Sequence, residues 1–140
     1  MIRSIIIEDE INSRELLQQM LSAYCPNIHL AGTAVDVPSG IELIKQVQPE
    51  VIFLDVEMPG GTGFDILNAF DSPDFKVIFV TGYGHYAIKA IKHAALDYIL
   101  KPIDLDELRQ AISKIASTPD KDATRLRFLK DNHGKSTDDL

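Results

Sequence analysis

Short apolar runs alternate along this chain with longer stretches of helical period. Ile5-Ile6-Ile7, Ile28 to Ala34, Val51-Ile52-Phe53-Leu54, Val77-Ile78-Phe79-Val80 and Tyr98-Ile99-Leu100 are rich in β-branched or aromatic residues and bounded by Asp, Gly, Pro or Lys. That pattern predicts five strands. Between them, helical spacing is kept by Leu16, Leu17, Met20 and Leu21, then by Ile41, Leu43, Ile44 and Val47, then by Phe64, Ile66 and Leu67. Ala87, Ile88, Ala90, Ile91 and Ala94 predict a fourth helix. Leu105, Leu108, Ile112 and Ile115 predict a fifth, entered through Asp104 as N-cap with Glu107 three residues on. Apolar runs alternating with helical periods are what a parallel α/β sheet covered on both faces requires, so five βα units are expected.

The pattern fails from Thr118 onward. Thr118-Pro119-Asp120-Lys121-Asp122 has the composition of a turn and linker, and Asp131 to Leu140 is almost wholly polar. One or two turns of helix around Ala123 to Lys130 would bury too little through Leu126, Phe128 and Leu129 to stand alone. The expected division is a domain over residues 1–117 and a tail over 118–140, disordered or partly helical.

At 140 residues the chain is one domain's length, and 45% hydrophobic with 25% charged residues suffices for a core. Fourteen Lys and Arg against 21 Asp and Glu give a net charge of -7, the wrong sign for gripping a phosphate backbone. No direct nucleic-acid contact is expected from this segment. A single cysteine, Cys25, permits no internal disulfide. No apolar stretch is long enough for a bilayer, and a cytoplasmic location is expected.

In an open parallel sheet the ligand site lies beyond the carboxyl ends of the strands. Glu8 and Asp9 follow the first strand, Asp55 the third, Thr81 the fourth and Lys101 the fifth. Clustered carboxylates repel one another unless a cation sits among them. Magnesium fits an oxygen donor set, with Asp9 and Asp55 as ligands and Glu8 reaching the ion through water. A carboxylate in that setting can itself accept a phosphoryl group, the role expected of Asp55. Lys101 would pair with Asp55 and then with a phosphoryl oxygen, and the Thr81 hydroxyl would donate to another. Taken singly, Asp9 or Asp55 reads as a solvated turn residue or a helix cap; the combination with Thr81 and Lys101 turns the reading toward chemistry. Lys101-Pro102 adds a proline that can hold a cis bond.

These residues resemble the receiver (CheY-like) domain of two-component response regulators, through Ile5-Ile6-Ile7-Glu8-Asp9-Glu10, Asp55-Val56-Glu57-Met58-Pro59-Gly60, Thr81-Gly82 and Lys101-Pro102. The resemblance covers residues 1 to about 117. It implies a flavodoxin-like, doubly wound (βα)5 fold with strand order 2-1-3-4-5. It implies that Asp55 accepts phosphate from a sensor histidine kinase, and that Glu8, Asp9, Asp55 and the backbone carbonyl of Glu57 hold Mg2+. Thr81 and Tyr98 would be the switch residues, remodelling the face made by the fourth helix, fifth strand and fifth helix to control homodimerisation. Such a protein is a switch, with only self-phosphorylation and slow autodephosphorylation of its own. Glu8 stands where Asp is commoner, and the loop after Pro59 carries an extra small residue. Ala94 to Ile103, with Thr81 to Ala87 before it, is similar to receivers of the LytTR class, which precede a DNA-binding domain. With no room for one after Ser117, the chain reads as a receiver cut from a longer protein or one that stands alone. Arg125, Arg127 and Lys130 would then begin a connector to a missing, transcription-regulating output domain.

Two rival readings remain. Gly82-Tyr83-Gly84-His85-Tyr86-Ala87 fits the dinucleotide fingerprint G-x-G-x-x-A, although Lys101 stands where that motif wants an acid. A Mg2+-dependent phosphohydrolase could use Asp55 as nucleophile and Glu57 as general acid, although the first strand carries Glu8-Asp9 in place of D-x-D. His29, His85, His93 and His133 are expected at the surface. Tyr24 and Cys25 are expected to close the first helix against the core. Ile88, Ile91, Leu105 and Leu108 are expected to be mostly core, any exposed member being a candidate for a dimer face.

Overall fold

The computed structural model describes residues 1–117, so the expectations placed on residues 118–140, His133 included, lie outside it. Five parallel strands, β1 (Ile2–Ile7), β2 (Ile28–Ala34), β3 (Val51–Leu54), β4 (Lys76–Thr81) and β5 (Asp97–Leu100), form one sheet in the order β2-β1-β3-β4-β5. This is the expected flavodoxin-like order. Helices α1 (Ile11–Tyr24), α2 (Val37–Val47), α3 (Gly63–Asn68), α4 (Ala87–Lys92) and α5 (Leu105–Ser117) alternate with the strands.

The pleat divides each apolar run between two cores. Ile5 and Ile7, Ile52 and Leu54, Val77 and Phe79 join one cluster with residues of α2 and α3. Ile6, Val51, Phe53, Ile78, Val80 and Ile99 join the other with α1 and α5. Burial on both faces explains why these strands read as unbroken apolar runs.

Local chemistry sets the helix ends. Asp36 caps α2 through the Ser39 amide at 2.8 Å, and Thr62 and Asp65 form a capping box at α3. Asp104 accepts from the Glu107 amide at 3.1 Å, as its spacing predicts. The α2 helix stops at Gln48, whose φ of 52° is left-handed, and Arg3 donates to the carbonyls of Val47 and Gln48.

The structure corrects several expectations. The fourth helix ends at Lys92 instead of running to Ala94, which adopts a φ of 58° beyond it. A 3-10 turn, Gly84–Tyr86, precedes it. Ile88 and Ile91 are not core but 71% and 75% exposed, because Ala90 alone of that helix is buried. Tyr24 is exposed while its neighbour Cys25 is buried. His93 is half-buried, its ring 5.0 Å from that of Phe64. A two-residue antiparallel ladder, Glu57–Met58 with Gly61–Thr62, follows β3. Its turn is Pro59-Gly60, where Gly60 has a φ of 86°, a conformation glycine adopts freely.

Candidate functional site

Strand register brings the site together. Ile7 pairs with Leu54, so Glu8 and Asp55 leave adjacent strands side by side; Thr81 pairs with Leu100, so Lys101 leaves β5 beside it. The Lys101 amide donates to the Thr81 carbonyl at 2.9 Å, and the Asp55 amide to the Ile7 carbonyl at 3.0 Å. Gly63 opens α3 directly against this floor: a Cβ there would meet the Asp55 carbonyl oxygen at 2.5 Å. The Lys101–Pro102 peptide is cis, as expected.

Glu8 and Asp55 are buried, and Asp9 is exposed at the rim. Each offers a carboxylate oxygen within 4.8 Å of the others, and among the described residues they are the acids grouped closely enough to hold a metal ion. Three hard oxygen donors so spaced suit a small divalent cation. The Lys101 ammonium lies 2.5 Å from Glu8 Oε1 and 3.1 Å from Asp55 Oδ2, bridging the two buried carboxylates. The Asp55 Oδ1 atom accepts from the Val56 amide at 2.6 Å, and Arg14 donates to the Glu8 carbonyl at 3.0 Å.

Burial pushes the Glu8 carboxyl from its ordinary 4.5 up to about 7; the nearby Asp55 charge adds to the rise, and the Lys101 hydrogen bond opposes it. Burial works against the charge on Lys101, but its hydrogen bond to Glu8 and the charge of Asp55 outweigh that and raise its affinity for the proton. A carboxyl whose folded value is raised stabilises the fold below its unfolded value, and that contribution disappears as pH rises through about 7. Without divalent cations, the wild-type Tm is therefore expected to fall more steeply between pH 5 and 8 than that of Glu8→Gln. Parallel slopes in thermal melts of the two proteins would contradict this.

Thr81 is fully buried at the end of β4, where its hydroxyl accepts from the Tyr83 amide at 3.4 Å. The Tyr98 ring lies 5.9 Å from Phe79, and its hydroxyl donates to the Tyr83 carbonyl. Burial holds the phenol above its ordinary range. The Glu57 carboxylate does not join the acid cluster; it accepts from the Tyr86 hydroxyl at 2.9 Å. Sequence pattern does not single out Tyr86 or Arg14, since both act across separations with no local period. The available signal was the aromatic content of Tyr83-Gly84-His85-Tyr86.

That segment also resembles a dinucleotide fingerprint, but its glycines lack the physical need that defines one. A Cβ on Gly82 would meet nothing within 4 Å, one on Gly84 would touch only Leu100 at 3.8 Å, and neither has a positive φ.

Comparison with known proteins extends the picture. A family model described as the response regulator receiver domain matches residues 5–113. An uncharacterised response regulatory protein of Vibrio vulnificus (strain CMCP6) is 38% identical over 118 residues, covering 83% of this chain and 48% of that protein. The chain thus spans about half the length of the curated relatives it matches. The crystal structure of the response regulator TrrA from Thermotoga maritima, in complex with Mg2+-BeF, is similar with a TM-score of 0.72 and 29% identity, covering 82% of this chain and 99% of that one. A DNA-binding response regulator of the LuxR family from Staphylococcus aureus gives a TM-score of 0.70 and 29% identity, covering 82% and 98%.

Proposed function

Because the chain belongs to the response regulator receiver domain family, we propose that it is a phosphorylation switch whose acceptor is Asp55. The observation that carries this reading is the bridging of Glu8 and Asp55 by Lys101 at the mouth formed by β1, β3 and β5. A buried carboxylate beside two further acids and an ammonium has the nucleophile, the cation ligands and the phosphoryl partner in one place.

The Asp55 oxygen attacks the phosphorus of a sensor kinase's phosphohistidine, the P–N bond breaks, and its electron pair returns to the imidazole. Glu8, Asp9, Asp55 and the Glu57 carbonyl would hold Mg2+, which when bound would supply positive charge for the phosphoryl oxygens. The Thermotoga maritima relative is a complex with Mg2+-BeF, which supports Mg2+ as the cation. Lys101 moves from two carboxylates to a phosphoryl oxygen, and Thr81 donates to another. Phosphorylation adds about -1.5 to -2 charge at Asp55, and these groups favour that form. With Thr81 displaced and Tyr98 turned inward, the face of α4, β5 and α5 changes. Ile88 and Ile91 are exposed on α4 and Leu100 on β5, apolar side chains that a homodimer would cover.

The residue range 1–117 is proposed as the receiver, working in the cytoplasm as a non-enzymatic switch. Among the described residues no helix is long and apolar enough to cross a membrane. In the whole protein a DNA-binding output would lie beyond the 118–140 connector. Its LytTR type is proposed on the run Ala94 to Ile103, whereas the Staphylococcus aureus relative is of the LuxR family. A phosphohydrolase would need the Glu57 carboxyl beside Asp55, but that carboxylate stands outside the acid cluster and accepts a hydrogen bond from Tyr86.

Lys101→Ala tests the switch. It is expected to bind Mg2+ at least as tightly as wild type, because a competing cation is gone. Phosphorylation should strengthen wild-type dimerisation by about 5- to 150-fold, the usual range of coupling between sites, and the variant's by under about twofold. Sedimentation that finds the same phosphorylation-dependent dimerisation in both proteins would remove Lys101 from the switch.

A further inference from the structure

The chain leaves the adjacent strands β3 and β4 at the same end of the sheet, and one side-chain hydrogen bond joins the two segments beyond them. Tyr86 Oη donates to Glu57 Oε2 at 2.9 Å. Glu57 lies two residues past Asp55, with only the fully buried Val56 between them. Its backbone is paired with Thr62 in the short ladder. An unrestrained glutamate there has the side-chain length to turn toward the phosphoacceptor. It is nevertheless absent from the acids whose oxygens converge at Asp55.

Tyr86 is the group that meets the Glu57 carboxylate instead. Its ring lies 4.2 Å from His85 and 6.0 Å from Phe64, and Phe64 is itself buried. Packing therefore places the hydroxyl before it meets the carboxylate, and hydrogen bonds to an ionised acceptor are among the stronger ones. Released from this bond, Glu57 would add a fourth carboxylate to the approach of an anionic donor, and like charges at such separations repel even through water.

We propose that Tyr86 is a positioning residue for phosphoryl transfer, its hydroxyl holding the Glu57 carboxylate away from the path of an anionic phosphoryl donor. This rests on Asp55 being the phosphoacceptor. With acetyl phosphate as donor, the Asp55 oxygen attacks phosphorus, the P–O bond to the acetyl group breaks, and acetate leaves with the electron pair. Glu57 makes and breaks no bond in this step; its charge acts on the approach alone.

The test measures the labelling rate of Asp55 against acetyl phosphate concentration, with Mg2+, for wild type, Tyr86→Phe and Tyr86→Phe/Glu57→Gln. Phenylalanine keeps the ring on Phe64 and His85. The apparent KM of Tyr86→Phe is expected to rise about fivefold, with the maximal rate nearly unchanged. The defect should shrink at high salt, where charge repulsion is screened, and the double variant should return to the wild-type KM. An unchanged KM, a defect indifferent to salt, or one that persists in the double variant would overturn the proposal. Tyrosine titration reads the bond without phosphorylation. The Tyr86 phenol is held above its ordinary range chiefly by the Glu57 hydrogen bond and should fall toward that range in Glu57→Gln. If the phenol does not move, the bond itself is refuted whether or not Asp55 is labelled. If it moves but wild type takes no label, the phosphoacceptor reading fails and the positioning role falls with it.

Discussion

Asp55→Asn is expected to lower covalent phosphate labelling by more than about a thousandfold, as loss of a nucleophile typically does, while the protein stays folded. Asparagine has nearly the same shape and keeps a carbonyl oxygen to accept from the Val56 amide, which donates to Asp55 Oδ1 at 2.6 Å in wild type. Lys101 keeps Glu8 as its partner at 2.5 Å, so no buried charge is stranded. The change in stability should stay within about 1 kcal/mol. Circular dichroism melts and radiolabel from acetyl phosphate measure the two halves of this expectation. A labelled Asn variant would move the acceptor elsewhere, and an unfolded one would mean that Asp55 is structural.

The second large effect is expected far from the acids, at Phe64. This side chain is 1% exposed, and three elements converge on it: the Phe79 ring at 5.1 Å from β4, Tyr86 at 6.0 Å from the turn before α4, and His93 at 5.0 Å from its end. The Lys89 ammonium sits 4.7 Å above the ring. Phe64→Ala should cost about 3–5 kcal/mol, a large fraction of the 5–15 kcal/mol that holds a typical domain folded. Because Ala90 is the only buried residue of α4, that helix should loosen first. Amide hydrogen exchange is expected to show protection lost over 84–93 well beyond any loss in β1 or β3. Uniform loss of protection would mean that α4 does not depend on Phe64.

The sheet was legible because each parallel strand is covered on both faces and its apolar run ends where the backbone leaves the core. The first polar residue after such a run is therefore a site candidate, which is how Glu8, Asp55 and Lys101 stand out, with Thr81 closing β4. The exposure of Ile88 and Ile91 was not legible. Periodicity shows which residues share a face and not whether anything covers it, and α4 rests on Ala90 and on side chains that reach Phe64 from its ends. The ladder after β3 is too short to carry a period, although Pro59-Gly60 marks its turn. The Glu57–Tyr86 bond spans 29 residues, and no local rule connects the two.

The most direct measurement is an intact mass spectrum, with peptide mapping, of the wild-type chain before and after incubation with acetyl phosphate and Mg2+, with a chelator as control. A single added phosphoryl group on the Asp55 peptide, present with Mg2+ and absent with chelator, is the result this account predicts. No added mass, or a phosphoryl group mapped to any other residue, would contradict it.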